Sequence, residues 1–116
     1  KPEEIRLALE KEATEIEKAL FAPRLARARK IALCIEGKSL SSEELAREFE
    51  ASANAGKNGI VFIIGSSWGL DERIKAACDL RLSFSPMTFA HSLFRVMLAE
   101  QIYRAAGINA GSGYHK

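Results

Sequence analysis

Three apolar runs constrain this chain more than any other feature. Residues 31–35 (IALCI), 60–64 (IVFII) and 80–84 (LRLSF) are each too short for a helix and suit strands, and stretches with helical spacing lie between them. The run at 60–64 is apolar throughout, the pattern of a central parallel strand covered on both faces. Strand and helix alternating at these connection lengths predict an α/β fold with a mainly parallel sheet and helices on both faces. At 116 residues and 47% hydrophobic, the chain has the apolar material for one compact domain.

The helices read as follows. From Pro2 to about Leu20, the residues Ile5, Leu9, Ala13, Ile16 and Leu20 fall on one face, with Glu and Lys on the other. Pro23 and the basic cluster Arg24, Arg27, Arg29 and Lys30 follow; a solvated connector is the first reading and phosphate contact the second. Ser41-Ser42-Glu43-Glu44 matches a capping box, in which Ser41 covers first-turn N–H groups and Glu44 reaches back. Leu45 and Phe49 form the apolar pair of that helix, and Gly56 is its stop. A last helix is predicted over 91–106, ended by Gly107, before a polar tail that is expected to fray and carries Tyr114, His115 and Lys116 beyond a Gly111-Ser112-Gly113 hinge.

Composition excludes some classes. The chain holds no run of eighteen or more apolar residues and opens on no signal-like segment, so neither a membrane span nor secretion is expected and a cytoplasmic location is the default. Cys34 and Cys78 lack metal-ligand spacing and read as buried small hydrophobes; no metal site is predicted. A net charge of +2 permits an acidic partner without requiring one. The start at Lys1, inside a helical pattern and without an initiating methionine, reads as a domain incomplete at its N-terminus.

Two strand-to-helix loops carry the functional reading. Gly65-Ser66-Ser67-Trp68-Gly69 leaves the second strand and enters a helix near Asp71, and its glycines let a ligand approach backbone N–H groups. It is neither G-x-G-x-x-G nor a P-loop, which disfavours NAD or ATP phosphate binding. The second loop, Phe84-Ser85-Pro86-Met87-Thr88-Phe89, is too apolar to stand exposed. It either joins the core or surrounds an apolar, hydrogen-bonding ligand such as an adenine ring. Two such loops at one sheet edge make a crevice.

The segments VFIIGSSWGL, LSFSPMTFAHSLFRVMLAEQIYRA and the terminal YHK resemble the bacterial ribosomal RNA large subunit methyltransferase H family, of the SPOUT class. Weaker similarity runs back through LCIEGKSLSSEELA to the first helix. The resemblance implies a C-terminal trefoil knot and a homodimer acting on the assembled ribosome. It also implies methyl transfer from S-adenosylmethionine to N3 of a pseudouridine in large-subunit (23S) rRNA. Cofactor contacts carried over from the family fall on Leu33, Gly65, Phe84, Ser85, Pro86, Met87, Thr88 and Phe89. Against the family pattern the chain is a single domain, 1–116, without the initial strand, helix and strand. It has Gly65-Ser66 in place of two glycines, Ala90 in place of a proline, and Trp68 at a position expected to be polar, where it is a half-exposed aromatic or a base-stacking one.

Removing the N3 proton leaves negative charge on the ring oxygens, which a base or a cation would assist. His115 is the candidate base, Arg104 the candidate partner for phosphate or the developing oxyanion, and Tyr114 a residue that packs on or hydrogen-bonds the base. Lys116 is expected to meet phosphate, His91 to cap or orient the last helix, and Glu100 and Arg95 to pair or cross a dimer interface. The alternative reading is a non-catalytic knotted RNA- or ribosome-binding module that has lost cofactor affinity, motivated by Ser66 and Ala90.

Overall fold

The computed structural model describes residues 2–66 and 69–115. Trp68 and Lys116, both given roles above, lie outside the described residues. In chain order the elements are α1 (Pro2–Leu20), a short 3-10 turn (Pro23–Leu25), β1 (Arg29–Ser39), α2 (Ser42–Asn54), β2 (Ile60–Ile64), α3 (Glu72–Ala77), β3 (Leu80–Ser83) and α4 (His91–Asn109). The three strands form a parallel sheet in the order β2-β1-β3.

Side chains alternate across this sheet with the period of two that a strand imposes. Ala32 of β1 and Ile63 of β2 pack on one face with Ala13 and Leu20 of α1 and Ile74 of α3. Ile31 and Leu33 of β1 and Leu82 of β3 pack on the other with Leu45 and Ala46 of α2 and Ala105 of α4. Helices therefore cover both faces, as the alternating pattern predicts. The expected centre is displaced, however: β1 lies in the middle of the described sheet and β2 at its edge. Ile31 and Ala32 are adjacent and both fully buried, whereas Ile63 alone in β2 is buried. An apolar composition did not distinguish these two strands; the pairing did.

Both helices of the second layer end by the same device. Ser41 Oγ accepts from the Glu44 N–H at 3.1 Å and Glu44 Oε1 accepts from the Ser41 N–H at 2.8 Å, so the capping box is complete. At the far end Gly56, at φ +85°, donates to Ala53 O and Lys57 donates to Ser52 O, the paired bonds of a Schellman stop. Gly107 does not end α4, which runs two residues further to Asn109. Ile108 packs into the second core and Asn109 Nδ2 donates to Ala46 O at 3.0 Å, so tertiary contacts carry the helix through the glycine. The stop falls at Gly111, φ +75°, with Gly111 N–H on Ile108 O and Ser112 N–H on Gly107 O.

The basic connector is tied down internally. Arg27 Nη2 donates to Gly56 O at 2.7 Å, Arg29 pairs with Glu48 at 2.7 Å, and Lys30 Nζ donates to Leu25 O at 2.9 Å. Among the described residues no helix is long and apolar enough to cross a membrane.

β1 also continues past its expected end at Glu36-Gly37. Its pairing with β3 breaks after Leu33 and resumes at Lys38, and Leu82 partners both residues. The four residues between are thrown out of register. Gly37 returns the chain to the sheet so closely that a Cβ there would lie 2.7 Å from Leu82 C and 2.8 Å from Arg81 C. Backbone cannot yield as a flexible side chain can. Gly37→Ala is expected to cost about 1–3 kcal/mol as an overpacking change, measured by urea unfolding. Gly59→Ala, where a Cβ would meet nothing within 4 Å, is the control expected to change stability little.

Candidate functional site

The displaced segment of β1 forms one wall of a crevice at the carboxyl ends of the strands. Leu33, Cys34, Ile35 and Glu36 face the two strand-to-helix loops across a cavity of about 660 Å³, within the size range of small-molecule sites. Ile64, Gly65, Ser66, Gly69 and Leu70 supply the second wall from the loop after β2. Phe84, Ser85, Met87, Thr88 and Phe89 supply the third from the loop after β3, and His91 and Phe94 close it from α4. All three strands contribute through their carboxyl ends, where an open α/β sheet leaves room for a ligand.

Local chemistry explains the loop shapes. Gly69 N–H donates to Ser66 O at 2.9 Å, and Gly69 takes a φ of +88° that a side chain disfavours. Gly65 is required for another reason: a Cβ there would lie 2.4 Å from Gly69 O. Ser66 shows no positive φ, so the strain that made it a ground for lost cofactor affinity is absent. In the second loop, Ser85 Oγ accepts from the Met87 N–H at 3.0 Å and Ser85 O accepts from Ser83 Oγ at 3.2 Å. Phe84 stacks on Phe94 with centroids 4.9 Å apart, and Phe89 tilts against the same ring at 6.4 Å. The loop is part core and part exposed, against the expectation that it is too apolar to stand in solvent. Phe84 joins the core, and Met87 stands 71% exposed at the cavity.

Seven of the eight residues carried over as cofactor contacts, Leu33, Gly65, Phe84, Ser85, Met87, Thr88 and Phe89, line this one cavity; Pro86 is exposed in the same loop but not on the wall. The three candidate catalytic residues do not line it. They cluster instead beyond a second cavity of about 330 Å³ that shares Phe84 and is bounded by Ser42 and Gln101. There the tail folds back on α2 and α4 as far as His115, against the expectation that it frays. Arg104 Nη1 lies 2.9 Å from His115 Nδ1, and His115 Nε2 lies 2.7 Å from Glu43 Oε2. A guanidinium can only donate, so Nδ1 accepts and Nε2 carries the proton given to Glu43. Both ring nitrogens are thereby engaged. Tyr114 is clamped between the Arg104 guanidinium, 4.8 Å from its ring centroid, and the edge of Tyr103 at 5.0 Å.

Other assignments change. His91 does not cap α4, whose N-cap is Ala90 with no side-chain hydrogen bond. Glu100 pairs with Arg104 at 2.7 Å, not with Arg95. Its hydrogen bond raises the guanidinium pKa further above its ordinary value. The hydrogen bond from His115 holds the Glu43 carboxyl below the usual carboxylate range. Sequence reasoning missed Glu43 as a tail partner, since 72 positions separate it from His115 and it read as part of the capping box. It missed Glu36 and Lys75 as cavity residues as well: the stretch after residue 35 read only as the end of the first strand, and Lys75 carried no mark of its own. Cys34 lines the cavity rather than filling the core, while Cys78 packs at the edge of the first core; burial raises both thiols. Among the described residues no group of three or more His, Cys, Asp or Glu is placed to hold a metal ion. Glu43→Ala is expected to leave the melting temperature nearly unchanged while releasing the tail, seen as faster amide exchange at Tyr114 and His115 and loss of the Tyr103–Tyr114 ring contact by NMR.

Comparison with known proteins adds to this geometry. A family model described as "Predicted SPOUT methyltransferase" matches residues 2–115. Among curated proteins, the chain is 54% identical over 86 residues to Ribosomal RNA large subunit methyltransferase H of Clostridioides difficile, covering 74% of this chain and 54% of that protein. The protein of the same name from Bifidobacterium adolescentis is 56% identical, and that from Alkaliphilus oremlandii 51% identical, each over 86 residues with the same 74% and 54% coverage. The chain spans about half the length of the curated relatives it matches.

Proposed function

The chain belongs to the SPOUT methyltransferase family, and from that premise we propose that it is the cofactor-binding part of an enzyme that methylates N3 of a pseudouridine in large-subunit rRNA. The observation that carries the reading is the single cavity at the strand ends, which gathers Leu33, Gly65 and five residues of the loop after β3. S-adenosylmethionine, the donor this family uses, would supply an electrophilic methyl group on its sulfonium when bound there. The cavity suits its remaining parts: an apolar wall of Leu33, Ile64, Leu70 and Phe89 for the adenine, with backbone N–H and C=O groups of two irregular loops within it.

The chain's own residues then hold the acceptor and handle its charge. Arg104 keeps a guanidinium beside His115, where it can meet a phosphate or the oxygen that becomes negative when N3 loses its proton. His115 takes that proton after the tail leaves Glu43 and Arg104, because in the docked state both its nitrogens are bonded. The tail cluster lies off the cavity within one chain, and α4 exposes Leu93, Val96 and Tyr103 at spacings of three and seven along one face. An exposed apolar stripe on the helix that links cavity to tail supports a homodimer through α4. Each tail would then complete the partner's site. The trefoil knot belongs to the same reading, with α4 passing between the loops it closes.

The test is transfer of labelled methyl from S-adenosylmethionine to ribosomes that lack the modification, with naked rRNA as comparison. Label in a pseudouridine of ribosomal large-subunit rRNA is the expected result; label on neither substrate, with folded intact protein, would remove the activity. His115→Ala is expected to lower turnover by about a hundredfold or more, the range of general-base loss, with cofactor affinity nearly unchanged. Turnover equal to that of the unsubstituted protein would sink the base assignment.

A further inference from the structure

Leaving aside the exposed His91, two charged side chains line the cavity among its described residues, and they meet each other. Glu36 comes from the displaced segment of β1 and Lys75 from α3, and the Lys75 ammonium donates to Glu36 Oε1. The pair is unlike an ordinary surface bridge. The Lys75 side chain is 14% exposed, tucked beside the Cys34 thiol, while Glu36 at 52% reaches towards solvent. Both charges act on that thiol, Glu36 raising its pKa and Lys75 lowering it. The rest of the wall is apolar or neutral.

We propose that the Glu36–Lys75 pair reads the amino-acid end of the methyl donor, Lys75 taking the α-carboxylate and Glu36 the α-ammonium. The proposal rests on the reading of the cavity as the S-adenosylmethionine site. A zwitterionic end can enter between the two charges and replace one ion pair by two, so the largely buried Lys75 ammonium is not left without a carboxylate. A ligand that offers an anion only, such as the phosphates of an adenine nucleotide, satisfies Lys75 but brings negative charge against the Glu36 carboxylate beside it. A ligand without charge leaves the pair closed and gains nothing from it. Sites built around polar partners discriminate strongly against analogues that lack them, because the unpaired site groups oppose binding. The pair would therefore explain how a cavity without a phosphate loop selects a nucleoside that carries an amino acid.

The intact protein, Lys75→Met and Glu36→Gln are titrated by calorimetry with S-adenosylhomocysteine and with 5′-methylthioadenosine, which has the same nucleoside and thioether but no amino-acid end. The unsubstituted protein is expected to prefer S-adenosylhomocysteine by about tenfold or more, and each substitution to bring that ratio towards unity while methylthioadenosine binds as before. An unchanged ratio would overturn the proposal, and so would parallel weakening of both ligands, which marks a structural staple. Equal affinity of the unsubstituted protein for both ligands would overturn it while leaving the donor site in place. Binding of neither would remove the donor site and the proposal with it.

Discussion

The fold turns on one backbone contact, that of Gly37 with residues 81–82 of β3. β1 leaves β3 after Leu33 and returns at Lys38, so that Leu82 is paired twice, and the return is possible because Gly37 brings no Cβ between the two main chains. Much follows from that contact. Cys34, Ile35 and Glu36 are pushed out to wall the cavity, and Ser41 arrives where it can cap α2. Without the detour β1 would be a plain strand, and the loops after β2 and β3 would face each other across an open edge.

α4 connects this cavity to the tail, and its composition reflects the two tasks. Phe94 at its start is sandwiched by Phe84 and Phe89, while Ala105 and Ile108 near its end pack on the second core. Leu93, Val96 and Tyr103 on the opposite side have no such cover. The same helix carries Arg104, which holds Glu100 on one side and His115 on the other. The docked tail and the cavity are thus joined through one helix and lie apart on it.

Much of the fold was legible in the sequence because its signals are local. The capping box at Ser41 and Glu44, the stop at Gly56 and the short apolar run of β1 each depend on neighbours in the chain. What was not legible depends on distant partners. The central place of β1, the survival of α4 past Gly107 and the docking of His115 on Glu43 are decided by residues tens of positions away, which carry no periodic mark. The cavity residues divide in the same way. The loops announced themselves by glycine, proline and aromatic content, and the resemblance supplied Leu33. Glu36 and Lys75 were hidden because 39 positions separate them, and two charges that meet across a cavity look like any others in one dimension.

The measurement that bears most directly on the cavity as the donor site is amide NMR of the intact protein during titration with S-adenosylhomocysteine. Saturating shifts centred on Leu33, Gly65 and residues 84–89, with α1 and the connector at Arg24 and Arg27 unmoved, are the expected result. Saturating shifts confined to the outer faces, or none up to near-millimolar ligand, would contradict the account.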